Sequence, residues 1–263
     1  MNRMMMLIAG LAVMAVSAAT PAAFGKPLYP NSVVSNDHEF IATSDDSAFA
    51  CLVFEGRHKA EMPDKRSDQL WAEDNFIYTA HYTDGTSVGI WTHPNFKTEE
   101  RALKSVTPAA EAVGKLPTFM RRVLDHVVIH RGNATAFSEH LGHFFVLYSA
   151  NIKVRIRNHD LEETVFHEAV HATVDYKYAR SAAWRELQKA DGDFITKYAK
   201  RKPTREDLAE SALFAWAMTM HPGRLPARVE ARVREIMSNR LAFLEELFLA
   251  RPLFENIGQK LDC

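Results

Sequence analysis

Hydrophobic and polar residues follow one period in the first half of the chain and another in the second, with the change near Asn151. Before that point the pattern is that of strands. Residues 49–55 (FACLVFE) form a short apolar run, and 76–93 (FIYTAHYTDGTSVGIWTH) sets two aromatic and β-branched runs on either side of Asp84-Gly85, a strong hairpin signal. VLDHVVIH (123–130) reads as a buried strand stopped by Arg131-Gly132-Asn133, and FFVLYS (144–149) as another. One helix is expected in this half, over 98–113 and ending at Gly114, with a break near Pro108 left open. Residues 26–48 are polar and contain Pro27, Pro30, Asn31 and Asn36, the composition of an irregular lead-in.

Beyond Asn151 apolar residues recur at helical spacing. Residues 160–178 (DLEETVFHEAVHATVDYKY) predict a helix with Asp160 as N-cap and Glu163 at N3, a capping box with Asp in the Ser/Thr place. Shorter helical stretches follow over 182–190, ending near Gly192, and over 193–200. Residues 204–220 predict a helix capped by Thr204 and stopped by His221-Pro222-Gly223, and the last helix runs roughly from 226 to 250, closing before Pro252. Strands first and helices afterwards indicate an α+β fold, with a strand-rich half over 26–150 and a helical half over 151–263.

The first 25 residues have a different character. Arg3 precedes the apolar run of residues 4–16, and small residues follow (Ser17-Ala18-Ala19, Pro21-Ala22-Ala23), the layout of a secretory signal peptide. An uncleaved anchor is the competing reading, although the run is shorter than the roughly 20 residues that a spanning helix needs. Removing residues 1–25 takes away Arg3 and no acid, leaving 31 basic and 33 acidic residues. So even a balance gives no footprint for nucleic acid, and no later segment is apolar enough for stable membrane insertion. The expected location is therefore the periplasm or the medium. Cys51 and Cys263 are the only cysteines. In an oxidising compartment they would pair, and two free thiols is the alternative.

The chemistry lies in His167-Glu168-Ala169-Val170-His171, a complete H-E-x-x-H. Residues i and i+4 share a helix face, so the two imidazoles can reach one tetrahedral metal while Glu168 takes a proton from water. Chance gives about 0.04 such matches in a chain of this composition. A third ligand is required, and the residues after His171 (Ala172-Thr173-Val174-Asp175) lack the H-x-x-G-x-x-H extension of the three-histidine enzymes. The other solution is a glutamate on a downstream helix. Glu206 and Glu210 share one face of the helix expected at 204–220, so one can bind metal while the other supports a histidine ring.

The pattern HEAVH…KYA…REDLAES resembles the glutamate-zincins (gluzincins), the thermolysin-like clan of metallopeptidases. It is closer to the branch that contains anthrax-lethal-factor-like peptidases and secreted bacterial proteins with an HExxH…Y-A…E-D-x-A-E-S pattern. The resemblance covers residues 120–220 and fades toward the N-terminus. It implies a zincin-like fold, with a small mixed or antiparallel sheet packed on an active-site helix. It further implies one zinc ion per chain, with His167, His171 and Glu206 as ligands, Glu168 as general base, and Glu210 behind a ligand histidine. The exchanged assignment, with Glu210 on the metal, stays open. Tyr198 matches a tyrosine that stabilises the developing oxyanion in that branch, with a packing role as the alternative. Asp175 matches an acid that supports the site without ligating. His130, His140, His143, His159 and His221 match no ligand position, and Lys200-Arg201-Lys202 reads as a solvated turn.

The expected function is that of a secreted zinc metallopeptidase acting on a protein or peptide, in which zinc-activated water attacks the scissile carbonyl. FFVLYS (144–149) is the candidate edge strand against which an extended substrate would pair. The alternative is an exported zinc-binding protein of the same fold with a binding or structural role and no peptidase activity.

Overall fold

The computed structural model describes residues 26–34, 36–250 and Cys263. The expected signal peptide and the stop at Pro252 lie outside the described residues. The architecture is α+β, built on a six-stranded mixed sheet. Its strands are β1 (Phe49–Glu61), β2 (Trp71–Tyr82), β3 (Ser87–Thr92), β4 (His126–His130), β5 (Phe137–Glu139) and β6 (Phe144–Tyr148), in the spatial order β1-β2-β3-β4-β6-β5. β1, β2 and β3 form an antiparallel meander. β4 joins β3 in parallel, β6 joins β4 in parallel, and β5 closes the far side antiparallel to β6.

The hairpin at Asp84-Gly85 forms as expected, with the Gly85 N–H donating to the carbonyl of Tyr82 and Gly85 at φ 78°. β4 and β6 are buried at every position, as strands covered on both faces must be. Val127, Ile129, Phe145 and Leu147 point into the main core under the helices. Val128, Phe144, Val146 and Tyr148 point the other way, where Ala60, Met62 and Ala72 from the β1–β2 arm cover them. FFVLYS is thus an interior strand, and the expectation that it forms the edge is wrong. The edge is β5, only three residues long and too short to register as a strand in the sequence.

The helices are α1 (Glu99–Val113), α2 (Thr118–Arg121), α3 (Ser149–Arg157), α4 (Leu161–Thr173), α5 (Asp175–Tyr178), α6 (Ala182–Asp191), α7 (Lys197–Arg201), α8 (Asp207–Met220) and α9 (Ala227–Leu249). α1 runs through Pro108 without a break, capped by the Thr98 hydroxyl on the Arg101 N–H. α6 ends at Gly192 in the left-handed region, as its sequence indicates. Two expected caps are not made. The Asp160 carboxylate takes Arg155 at 2.7 Å instead of its own helix N-terminus, and Glu163 turns inward to accept the Phe40 N–H at 2.6 Å. A guanidinium and a distant buried amide are better partners than amides that water can reach. Thr204 caps nothing either, because α8 starts at Asp207 with Glu206 in the N-cap position.

The start of α8 is fixed by a buried ion cluster. Arg240 of α9 has no exposed surface and pairs with Asp207 at 2.6 Å and Asp191 at 2.8 Å. Asp207 also accepts hydrogen bonds from Trp184 and Gln188 of α6. The disulfide Cys51–Cys263, one of the two alternatives for these residues, has its Cα atoms 6.3 Å apart. Among the described residues no helix is long and apolar enough to cross a membrane.

Removing Arg240 leaves two buried aspartates without their cation. Arg240→Ala is expected to cost about 3–5 kcal/mol, measured as a fall in the urea midpoint at unchanged slope. A loss below about 1 kcal/mol would show that the cluster does not anchor α8.

Candidate metal centre

α4 and α8 cross beneath an open cleft of about 890 Å³. His167 and His171 lie one turn apart on α4, and Glu206 reaches them from the N-cap of α8. The imidazole Nε2 atoms are 3.1 Å apart, and the Glu206 Oε2 atom lies 3.2 Å from that of His171 and 3.6 Å from that of His167. Ligands about 2.0–2.1 Å from a tetrahedral zinc lie about 3.3 Å from one another, so the separations fit a single ion. Among the described residues these three form the one group able to hold a metal.

Two of the three ligand candidates are bonded from behind, and the third faces a carboxylate. Asp175, which opens α5 just after α4 ends, places its Oδ2 2.5 Å from His171 Nδ1, fixing the face that ring turns to Glu206. Glu210 Oε1 lies 3.7 Å from His167 Nδ1. The Glu210 carboxylate accepts hydrogen bonds from the Ser32 N–H (2.8 Å), the Ser32 hydroxyl (3.1 Å) and the Thr196 hydroxyl (2.6 Å). So committed, it stands behind His167, while Glu206 faces both Nε2 atoms. The Tyr198 hydroxyl donates to Glu206 Oε1 at 2.9 Å.

Glu168 opens onto the same cleft. The Ser138 hydroxyl on the edge strand β5 lies 2.5 Å from its Oε2 and 2.9 Å from its carbonyl oxygen. Sequence reasoning missed Ser138, Ser32 and Thr196. Each is a single hydroxyl residue far from the carboxylate it serves, 178 positions away for Ser32, and nothing local marks it.

The lead-in is part of the site. Its Leu28 N–H donates to the Ile195 carbonyl, and the Lys197 and Tyr198 N–H groups donate back to Tyr29 and Pro30, each at 2.9 Å. This short parallel pairing sets Tyr198 in place and brings Ser32 to Glu210. The remaining histidines stand apart from the triad. His143 bonds to the Ala172 carbonyl, His130 to that of Pro63, His221 lies 3.4 Å from Asp45, and His140 lines the cleft wall.

The electrostatics share one theme. Burial disfavours the imidazolium of His171, but Asp175 and then Glu206 more than offset this and raise its pKa well above the ordinary value. Burial opposes the charge on Glu206 too, yet bonds to His167 and His171 hold its carboxyl below the usual range. Burial dominates at Glu210 and raises its pKa. It also raises that of Tyr198, with Glu206 adding to the effect. The donor set of two imidazoles and a carboxylate, ringed by further carboxylates, suits a divalent cation such as zinc.

Comparison with protein-family models, with curated proteins and with solved structures returned no match.

Glu163, one turn before His167, latches the lead-in through Phe40, and burial pushes its carboxyl up to about 9. In the unfolded chain it titrates in the ordinary range, so the folded state holds the extra proton between the two values. Its contribution makes stability fall as pH rises through that window. Glu163→Gln is expected to remove this slope, gaining on the wild type between about pH 5 and about pH 9 in urea denaturation. Parallel pH profiles for the two proteins would contradict a protonated Glu163.

Proposed function

We propose that this chain is an exported, zinc-dependent peptidase of the zincin type. His167, His171 and Glu206 hold one zinc ion, and Glu168 is the general base. The observation that carries the reading is the convergence of three donor atoms within 3.1–3.6 Å on the floor of a cleft edged by a free strand. The disulfide between Cys51 and Cys263 supports export, since such bonds persist in oxidising compartments.

Bound zinc would polarise the scissile carbonyl and lower the pKa of a water molecule toward about 7. The chain's own residues supply the rest. Ser138 occupies Glu168 Oε2, which leaves Oε1 to receive the proton of the attacking water and pass it to the leaving amine. Tyr198, kept as the neutral phenol by burial, would turn its hydroxyl proton from Glu206 Oε1 to the carbonyl oxygen as charge develops there. Asp175 holds the His171 imidazole in orientation, and Glu210 stands 3.7 Å behind that of His167. β5 pairs only with β6 among the described residues, so its outer edge is available to the backbone of an extended peptide.

Two measurements test this reading. The mature chain is expected to carry one zinc by plasma mass spectrometry, with Glu206→Ala losing it or binding it far more weakly. No zinc after reconstitution would overturn the assignment. Glu168→Gln is expected to retain zinc while turnover of a peptide library falls at least about 100-fold. Full activity in that variant would exclude Glu168 as the base. Zinc bound by a wild-type chain that hydrolyses no peptide would leave a zinc-binding protein in place of a peptidase.

A further inference from the structure

The run Lys200-Arg201-Lys202 divides in the structure. Lys200 turns to Asp193, 2.9 Å away. Arg201 and Lys202 line the cleft beside Tyr198, with their cationic groups 5.7 and 5.5 Å from the centre of its ring. Arg205 and Arg180 line the same cleft. All four are exposed, and none has an ion-pair partner among the described residues. Elsewhere some exposed cations are paired, as in Arg57–Asp74 and Lys59–Glu73, and those without an ion pair among the described residues, such as Lys97, Arg101 and Lys153, do not line this cleft. The whole sequence has a net charge of only −1, so four unpaired cations around one cleft do not follow from a basic composition.

The cleft's acids do not answer them. Glu168, Asp175, Glu206 and Glu210 are committed at the floor to Ser138, to the two histidines and to the lead-in. Glu139 on β5 is the one exposed carboxylate lining the cleft. The other two cations there are engaged already, Arg155 with Asp160 and Lys65 with Thr135 and the Ala136 carbonyl. Like charges collected around a concave, low-dielectric surface focus a positive potential into it, and a ligand bearing carboxylates relieves their repulsion.

We propose that the cleft selects acidic peptides, with Arg180, Arg201, Lys202 and Arg205 receiving Asp or Glu side chains that flank the scissile bond. The inference names the substrate class of the proposed peptidase and rests on that reading of the cleft.

The test uses three labelled decapeptides, identical except for Glu, Gln or Lys at the flanking positions. Binding is read by fluorescence anisotropy on mature Glu168→Gln protein with zinc added, and cleavage is read with the wild type. Affinity is expected to fall in the order Glu, Gln, Lys, spanning about 10-fold or more and narrowing as salt is raised. The combined variant Arg201→Glu, Lys202→Glu, Arg205→Glu is expected to invert the order with zinc content unchanged. Should that variant fail to fold, Arg180→Glu with Arg205→Glu, which leaves the two cations over the Tyr198 ring in place, is expected to flatten the order. Equal binding of the three peptides overturns the inference, as does full displacement of the Glu peptide by a short single-stranded oligonucleotide at equal charge. Cleavage without charge preference overturns it and leaves the peptidase reading standing. Charge-ordered binding without cleavage does the reverse.

Discussion

Two imidazoles at the crossing of α4 and α8 are surrounded by the carboxylates of Glu168, Asp175, Glu206 and Glu210, and no lysine or arginine among the described residues bonds to any of the four. Negative charge gathered in a partly dry site is costly unless a cation is present. The titration behaviour is one response to that shortage. The His171 pKa is raised, that of Glu206 is lowered, and Glu210 is pushed toward the neutral form. A divalent ion between the three donor atoms, as proposed, meets the same demand at one point. The surrounding architecture reads as the means of holding an unfavourable cluster of acids in place.

That task explains why α8 begins as it does. A glutamate at an N-cap normally turns toward its own helix amides, where the dipole favours it. Glu206 turns away from them to the histidines. Arg240, Trp184 and Gln188 all grip Asp207, the next residue, so the helix start is anchored without help from a side-chain cap. β5 performs a similar service from the opposite wall, where Ser138 fixes both the side chain and the carbonyl of Glu168.

Local, periodic features were legible in the sequence. The hairpin at Asp84-Gly85, the helix carrying His167 and His171, and the glycine stop of α6 each depend on a few adjacent residues. The proximity of Glu206, Asp175, Tyr198 and Glu210 to the histidines was foreseen as well, because helical spacing and a resemblance narrowed the choices. What could not be read depends on distant chain segments. Asp160 and Glu163 spell a capping box, yet Arg155 and Phe40 compete for them. FFVLYS has the composition of a strand at either edge or centre, and only the insertion of β5 outside it decides. Lys200-Arg201-Lys202 looks uniform in one dimension, and Asp193 separates its first residue from the other two.

The long reach of these contacts has a functional consequence. Glu210 is satisfied by Ser32, 178 positions earlier, and Glu163 by Phe40, 123 positions earlier. Both contacts belong to one lead-in that also pairs with the segment bearing Tyr198. The support behind His167 and the placement of Tyr198 therefore form together, when the beginning of the described chain closes on α8. Contacts of such separation carry the largest loop-closure cost. Without the lead-in, Glu210 lacks the two donors of Ser32, and the segment bearing Tyr198 keeps its tie to α8 through Thr196 and Glu206. On the proposed reading, the ligand atoms come from α4 and α8 alone, and the closed lead-in completes the support around them.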